Sequence, residues 1–494
     1  MPERTSHPQR QTKQLIVLFF TWKCVLFLVS ACSPGLGYDT SALILVDSSQ
    51  QRHSKPSSMS RLDRFAFNLF RWDALYFVKS AQREYVYEQE WAFSWAYSAL
   101  LKMIVRCEAS CTFFHHHSTK ILEAVSRTID PPLLHFIWTG IAVSNISHLF
   151  SVLILFKLSN VLLGDKYGGP VPLTACVLHI LSPAGLFLSA PYGEALFAAL
   201  NFSGMLCYVQ ARVAARLSKN WTWYQDAGIL SSAILFGLAT FIRGNGLLSG
   251  LVFLFDVVGS SKSILGMRLG SNGTRRVIVT LVGGMLLGIM SVVPQYVAYE
   301  EYCTTSKNLE SRPWCHRMIP SIYTWVQSEY WLVGSVRLKN VLTSIRNVGF
   351  LRYWTLPNLP LFLIAAPMLW LLFQSSVTFL CASHQHSSRN TNQTLTDKKE
   401  KNQPPDTVNC DLPQLALPQL ILALAAATSF HVQIVNRISS GYPIWYLTVA
   451  QWITARETTQ YTTKRDLTSP LVVRGMIVYA IVQGVLFAGF LPPA

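Results

Sequence analysis

Residues 133–156 read LLHFIWTGIAVSNISHLFSVLILF, a stretch of 24 residues that contains no Asp, Glu, Lys or Arg. Because an α-helix rises about 1.5 Å per residue, a helix of this length can cross the roughly 30 Å hydrocarbon core of a bilayer. Apolar blocks of roughly 15–24 residues, the length that such a crossing needs, recur along the chain on both sides of this one. The pattern predicts an all-α polytopic membrane protein with about eleven transmembrane helices.

The composition agrees with a membrane protein and excludes a soluble enzyme of this size. Of the 494 residues, 51% are hydrophobic and 13% are charged, whereas soluble domains carry about 25% charged residues. The net charge of +16 could indicate nucleic-acid binding, but membrane proteins also concentrate Lys and Arg in their cytoplasmic loops. The apolar blocks favour the second explanation, so we expect no nucleic-acid partner.

The basic connections between blocks orient the chain. If the N-terminus is cytosolic and every block spans, the Lys- and Arg-rich connections all face the cytosol. The predicted segments are a cytosolic N-terminus (1–14), a first transmembrane helix (15–32), a long luminal loop (33–132), a multi-helix transmembrane region (133–381) that contains a luminal loop (299–357), a flexible cytosolic linker (382–413) and C-terminal transmembrane helices (414–494).

The first apolar block, residues 15–31, has two interpretations. Basic residues precede it, so a cleaved signal peptide is an alternative, but no convincing small-residue cleavage site follows and we expect a signal anchor. Lys23 lies in the middle of this block. A charge at that depth is costly, so Lys23 is expected to face protein or to reach the membrane interface.

Several features of the luminal segments leave alternatives open. The aromatic stretch 91–104 suits a helix in the membrane interface or an ordinary buried helix. Cys303 and Cys315 share a luminal loop and could be a disulfide or two free thiols. Three adjacent histidines, residues 115–117, cannot readily converge on one ion, so no metal site is expected.

Asp73 is the most suggestive polar residue of the first luminal loop. It follows Arg71 and Trp72 among aromatic residues, and Glu88 lies farther along the same loop. Aromatic rings stack on sugar faces and a carboxylate can accept a proton from an attacking hydroxyl, so this pattern is typical of a sugar site. A structural interpretation is that Asp73 pairs with Arg71 or caps a short helix.

Two later turns carry charge beside apolar blocks. Tyr192 and Glu194 lie in one turn, where Glu194 could also be a simple charge at a helix N-terminus. Arg243 and Asn245 lie in a Gly-containing helix break. Arginine suits an anionic phosphate, although a solvated arginine that reaches lipid headgroups is the alternative.

These motifs together resemble the PIG-V family of mannosyltransferases over roughly residues 65–490. The motifs that carry the resemblance occur in the family order: Arg71-Trp72-Asp73-Ala74, Tyr85-x-Tyr87-Glu88, Tyr192-x-Glu194, Arg243-x-Asn245-Gly246, Arg312-Pro313-Trp314-Cys315, Tyr323-x-x-Val326-Gln327, His431-Val432-Gln433 with Arg437, and Pro443-Ile444-x-Tyr446. The chain departs from the family pattern at residues 94–97, and residues 107–130 resemble an insertion.

The resemblance implies a GT-C glycosyltransferase fold in the endoplasmic reticulum membrane with a luminal active site. It implies transfer of a mannose, α-1,6-linked, from dolichyl phosphate mannose to a GPI glycolipid precursor, with inversion, no cofactor and no metal. Asp73 is then the catalytic base, and an accessory membrane subunit is compatible with the family. The substrate-binding candidates are Arg71, Trp72, Glu88, Tyr192, Glu194, Arg243, Asn245, Gln327, His431 and Arg437.

Within that set, Arg243 and Arg437 are the candidates for the phosphate of the leaving group. Glu88 and Glu194 could orient sugar hydroxyls or could be structural, and His431 could be a packed helix residue. Other functions also remain open: a dolichyl-phosphate-mannose transferase with a protein or N-glycan-precursor acceptor, a lipid or solute transporter, and a structural scaffold. A transporter should show a repeat or charged residues at mid-helix, and neither is clear in the sequence.

Overall fold

The computed structural model describes residues 6–33, 60–115, 132–163, 170–218, 222–265, 270–304, 312–329, 350–351, 353–393, 412–429, 431–458 and 468–489. Within these ranges the regular structure is helical and includes no β-strand. Three predicted features lie wholly or partly outside the described residues: residues 116–130 of the insertion 107–130, with two of its three adjacent histidines; most of the predicted linker 382–413; and Asn220, the asparagine of an Asn-x-Thr glycosylation motif.

Sixteen α-helices occur in the described ranges. In chain order they are α1 (Ser6–Cys32), α2 (Arg61–Leu69), α3 (Ala74–Arg83), α4 (Trp95–His115), α5 (Leu133–Leu163), α6 (Pro170–Ile180), α7 (Glu194–Leu217), α8 (Trp223–Ile242), α9 (Leu251–Leu265), α10 (Ser271–Tyr299), α11 (Ile322–Glu329), α12 (Leu359–Gln393), α13 (Leu417–Thr428), α14 (Val435–Ile438), α15 (Ile444–Thr458) and α16 (Thr468–Ala488).

Six helical segments of the described chain are long and apolar enough to cross a bilayer. They are Gln9–Cys32, Leu133–Leu163, Trp223–Ile242, Ser271–Thr304, Leu356–Cys381 and Thr468–Ala488. The polytopic all-α prediction is therefore confirmed, whereas eleven crossings stay a prediction. Three shorter apolar helices occur at Pro170–Ile180, Gly244–Ser260 and Pro413–Thr428.

Residues 171–190, one of the recurring apolar blocks of the sequence, do not form one continuous helix. Helix α6 ends at Ile180, and a 3₁₀ turn follows at Gly185–Leu188 before α7 begins at Glu194. Every residue from 182 to 195 is buried. Irregular backbone is tolerated at membrane depth only where protein surrounds it, and these residues meet that condition.

Lys23 faces protein, as the sequence predicts. Its side chain is 3% exposed. The ammonium donates hydrogen bonds to the Leu188 carbonyl oxygen at 3.0 Å and to the Ser189 hydroxyl at 2.7 Å. The buried lysine of α1 therefore binds the irregular segment that precedes α7.

Described residues of the two predicted luminal loops, 33–132 and 299–357, pack on each other. The aromatic stretch predicted at 91–104 becomes a 3₁₀ turn, Glu88–Ala92, followed by α4 from Trp95. Cys303 and Cys315 form a disulfide. Trp91 shares a small buried cluster with Trp314 beside that disulfide, so the two predicted luminal loops form one layer.

Candidate functional site

Asp73 lies immediately before helix α3, at its N-cap position. Its side chain makes no capping hydrogen bond. Instead Asp73 Oδ2 accepts a hydrogen bond from Arg437 Nη1 at 2.8 Å, across 364 residues of chain. The preceding residue, Trp72, has φ of 52°, a left-handed conformation that is costly for a residue with a side chain. The structure thus shows a long-range ion pair for Asp73 where the structural interpretation expected a cap or an Arg71 pair.

Arg437 and Arg243 meet at a second carboxylate, that of Glu194. Glu194 Oε1 lies 2.9 Å from Arg437 Nε and 2.5 Å from Arg243 Nη1. We call Asp73, Arg437, Glu194 and Arg243 the ion-pair chain. It contains two cations and two carboxylates, and this balance is what buried charge requires.

Four separate elements bring these charges together. Glu194 is the first residue of α7, where a negative charge complements the helix N-terminus. Arg243 is the residue at which α8 ends, and Arg437 belongs to the short helix α14. After Arg243 the chain turns sharply: a Cβ on Gly246 would lie 2.6 Å from the Thr240 backbone nitrogen. Glycine is therefore needed at that position of the Arg243 motif.

Aromatic residues form a wall beside Arg437. The guanidinium lies 4.9 Å from the centroid of the Phe187 ring and 5.5 Å from that of Tyr192, within the range of cation–π attraction. The Tyr192 hydroxyl donates to the carbonyl oxygen of Arg71 at 2.9 Å. Burial, together with the Asp73 charge, holds the pKa of Tyr192 well above its usual value, so this hydroxyl remains a neutral donor.

The two carboxylates differ in access. The Asp73 side chain is 32% exposed, whereas that of Glu194 is 1% exposed. Within the described part of the chain, only Oδ2 of Asp73 is engaged. Asp73 Oδ1 is therefore the accessible oxygen of the ion-pair chain, and Glu194 is the buried counter-charge that holds both arginines.

A cavity of about 80 Å³ adjoins Arg437. Its lining residues are Pro183, Phe187, Gln433, Ile434, Arg437, Tyr479 and Gln483. Gln483 is 2% exposed, and both polar atoms of its amide lack a hydrogen-bond partner among the described residues. Gln483 is not among the predicted site residues because it lies in an apolar block near the end of the chain; a lone amide within such a block is the signal that could have revealed it.

Two further predicted residues, Gln327 and Asn245, lie near the Arg243 end of the ion-pair chain. Gln327 hydrogen-bonds Tyr323, whose hydroxyl also feels the charge of Arg243; burial raises the pKa of Tyr323. The amide of Asn245 donates to the hydroxyl of Tyr442 at 3.1 Å. These contacts place Gln327 near Arg243 and tie the Arg243 turn to the segment that follows α14.

His431 is packed rather than charged. Its ring lies edge-to-face on Tyr353, with the ring centroids 5.0 Å apart. Burial lowers the pKa of His431 below its usual value. Its contact with Tyr353 is therefore an aromatic one.

Glu88 joins the two loops. It accepts hydrogen bonds from the indole nitrogens of Trp314 at 3.2 Å and Trp325 at 3.0 Å, and Arg312 Nε lies 3.3 Å away. All three partners belong to the loop of the disulfide. These contacts hold the first loop to the second, at a place distinct from the ion-pair chain.

No group of three His, Cys, Asp or Glu side chains suited to a metal ion occurs among the residues that the structure covers. The charges that converge are instead two guanidiniums and two carboxylates. Guanidinium groups bind phosphate oxygens through paired hydrogen bonds, and a carboxylate can serve as a general base. The arrangement can therefore hold an anionic phosphate beside a proton acceptor.

Comparison with known proteins identifies the family. Residues 12–494 match the family described as mannosyltransferase (PIG-V). GPI mannosyltransferase 2 of Aspergillus oryzae is 38% identical over 99% of this chain and 97% of its own length. The enzyme of the same name from Aspergillus fumigatus is 36% identical over 99% of this chain and 95% of its own length.

A solved structure gives a weaker match. The archaeal oligosaccharyltransferase AglB from Archaeoglobus fulgidus, in complex with an inhibitory peptide and a dolichol-phosphate, matches with a TM-score of 0.41 and 12% identity, over 94% of this chain and 56% of its own. The family assignment rests on the sequence matches, which extend over nearly the whole length. With these matches and the converging Asp73 and Arg243 motifs in hand, the chain belongs to the PIG-V family of mannosyltransferases.

Proposed function

We propose that this mannosyltransferase adds the second mannose of the GPI anchor, through an α-1,6 linkage, with dolichyl phosphate mannose as donor, at the luminal face of the endoplasmic reticulum membrane. The name shared by its relatives supports the GPI acceptor. The six apolar helices indicate a multi-pass membrane protein, which suits two substrates that both carry lipid chains. An accessory membrane subunit is compatible with this function.

The observation that carries the proposal is the accessible carboxylate oxygen of Asp73 beside the Arg437 guanidinium, which shares Glu194 with Arg243. The donor is β-linked and the product is α-linked, so the anomeric carbon inverts in a single displacement. The bond from the anomeric carbon to the phosphate oxygen breaks as the bond to the acceptor 6-oxygen forms. The hydroxyl proton passes to Asp73 Oδ1, and the electron pair of the broken bond leaves with dolichyl phosphate.

Arg437 and Arg243 are the proposed binding groups for that phosphate. A phosphate leaving group needs cations or backbone donors as its charge develops, and it needs no general acid. The Arg243 Nε atom is buried and lacks a hydrogen-bond partner among the described residues. Glu194 contacts both guanidiniums and positions them before the substrate binds.

Gln483 and Phe187 line the proposed sugar site, and the buried Tyr192 contacts Arg437 beside it. The amide of Gln483 offers one donor and one acceptor to hydroxyl groups in the cavity beside Arg437. Tyr192 and Phe187 supply the aromatic wall. A pyranose ring has both an apolar face and polar edges, so rings and amide groups together suit it.

The direct test uses the purified full-length chain in lipid nanodiscs with radiolabelled dolichyl phosphate mannose. The expected result is label in a two-mannose product when a one-mannose GPI precursor is supplied, and release of that label by an α-1,6-specific mannosidase. Peptide acceptors and N-glycan lipid precursors serve as controls. Transfer to either control acceptor and not to the GPI precursor would contradict the proposed acceptor.

A further inference from the structure

A second cavity lies at the opposite end of helix α7 from the ion-pair chain. Its volume is about 450 Å³. Glu194 begins α7 and Arg212 lies eighteen residues later in it, which corresponds to about 27 Å along the helix axis. Its lining includes Arg212, Asp256, Gly259, Arg276 and Gln414.

The only carboxylate among these lining residues, Asp256, is already engaged. Asp256 accepts a hydrogen bond from the Tyr208 hydroxyl at 2.6 Å and from the Gln414 amide at 3.2 Å, and its third donor is Arg212 Nη2 at 3.2 Å. Because Arg212 and Arg276 line the cavity with this single carboxylate, these three residues carry an excess of one positive charge. The cavity therefore favours an anion.

Contacts within the protein fix the orientation of Arg212 at the cavity. Its side chain is 15% exposed, and the pairing with Asp256 and the ring of Tyr208 orients it. The other terminal nitrogen, Nη1, is buried and has no hydrogen-bond partner among the described residues. A buried guanidinium nitrogen without an acceptor is costly, and the residue that carries it lines the cavity.

Arg276 supplies a second guanidinium. It lines the cavity from the first turns of α10 and is half-buried. In the described part of the chain, no carboxylate lies within ion-pair distance of Arg276; its neighbour Arg275, by contrast, is paired with Asp226 at 2.5 Å. Of these two adjacent arginines, only Arg276 lines the cavity and has no carboxylate partner among the described residues.

We propose that this cavity binds a phosphate-bearing group, held by Arg212 and Arg276, at a site separate from the mannosyl-transfer site. Guanidinium groups match phosphate geometry and form charge-assisted hydrogen bonds with it. The volume corresponds to on the order of fifteen water molecules at about 30 Å³ each, which is ample for a phosphate. A Cβ on Gly259 would meet no atom within 4 Å, so the lining leaves space there.

The phosphate can come from an anionic phospholipid or from solution, and the test separates the two sources. The full-length chain is reconstituted in nanodiscs of phosphatidylcholine alone or with phosphatidic acid, and inorganic phosphate is titrated into the first. The readout is the melting temperature as a function of probe concentration, because a ligand that binds the folded state raises it. Arg276→Gln is the test variant and Arg275→Gln is the matched control.

For the wild type we expect the melting temperature to rise with phosphatidic acid. Arg275→Gln should keep this response, and Arg276→Gln should need about tenfold more probe for the same rise, since one charge-assisted hydrogen bond is lost. The same pattern with inorganic phosphate alone supports the site and shows that its ligand is a phosphate from solution. No response to either probe, or equal responses of the two variants, overturns the proposal.

Discussion

Asp73 and Glu194 are both carboxylates of the ion-pair chain, but their surroundings separate their roles. Glu194 is almost fully buried and contacts two guanidiniums, whereas Asp73 is about one-third exposed and contacts one. A proton acceptor must be reachable by the acceptor sugar. Asp73 alone of the two meets this requirement, and Glu194 is best placed to position Arg243 and Arg437.

The sequence could predict each of these residues but not their pairing. Asp73, Glu194, Arg243 and Arg437 each belong to a motif that the family resemblance singled out. Their contacts join residues up to 364 positions apart in the sequence. The spacing of residues within one helix carries no information about contacts between such distant segments. For the same reason, the position of Glu88 beside Trp314 could not be anticipated from its motif.

Replacing Glu194 by Gln should destabilise the protein by about 3–5 kcal/mol, since it leaves two buried guanidiniums without their shared counter-charge. Thermal unfolding in nanodiscs measures the change. Glu84→Gln is the control, because Glu84 pairs with Lys102 at the surface and exposed pairs contribute about 0–1 kcal/mol. Equal melting temperatures for the two variants would contradict the assigned role of Glu194.

Replacing Gln483 by Leu should separate stability from activity. The substitution removes two buried polar atoms that lack partners, so the free energy of unfolding should rise by about 1–3 kcal/mol. If the amide binds sugar hydroxyls, kcat/KM for mannosyl transfer should fall in the same variant. A variant that is more stable and fully active would show that the amide does not contact substrate.

At the scale of elements, apolar blocks identify helices but not where they break. The block 171–190 contains a Ser182-Pro183 pair, and proline disfavours helical backbone in the residue before it; helix α6 in fact ends two residues earlier, at Ile180. Tertiary contacts then stabilise the irregular segment, since Lys23 of α1 donates to Leu188 and Ser189. Such contacts depend on the folded chain and cannot be read from the block itself.

The turn after α8 offers an element-scale test. Gly246→Ala should distort the Arg243 turn, because the new Cβ would lie within 2.6–2.8 Å of backbone atoms of Ala239 and Thr240. We expect a loss of stability of about 1–3 kcal/mol and reduced mannosyl transfer. Gly244→Ala is the matched control, since a Cβ there meets no atom within 4 Å. A Gly246→Ala protein as stable and active as this control would contradict the proposed packing.

At the scale of the whole molecule, charge is divided between the two ends of the helices. The ion-pair chain lies at the start of α7, and the arginine-lined cavity lies toward its end. The positive-inside pattern predicted this separation, because the basic connections were assigned to the cytosol. The sequence could not show that Arg212 and Arg276 share one cavity with Asp256, since these three residues come from different helices.

Glycosylation mapping tests this orientation. Asn272 is exposed at the start of α10 and begins a sequon, yet it should remain unmodified because its end of α10 is expected to face the cytosol. A sequon introduced by Met318→Asn with Pro320→Thr should be modified, since Met318 is fully exposed in the loop of the disulfide. A glycosidase-sensitive mobility shift is the readout. Modification at Asn272 would place the start of α10 in the lumen and contradict the predicted orientation.

Proton transfer to Asp73 is the central step of the proposed mechanism, and a kinetic comparison of variants tests this step. Steady-state mannosyl transfer to the one-mannose GPI precursor is compared for wild type, Asp73→Asn and the control Asp63→Asn, a carboxylate of the neighbouring helix α2. We predict that kcat falls by about 10²–10⁴-fold for Asp73→Asn, in a protein that stays folded at the assay temperature although it loses the Asp73–Arg437 ion pair, and that Asp63→Asn retains activity. A folded Asp73→Asn protein with undiminished transfer would contradict the account.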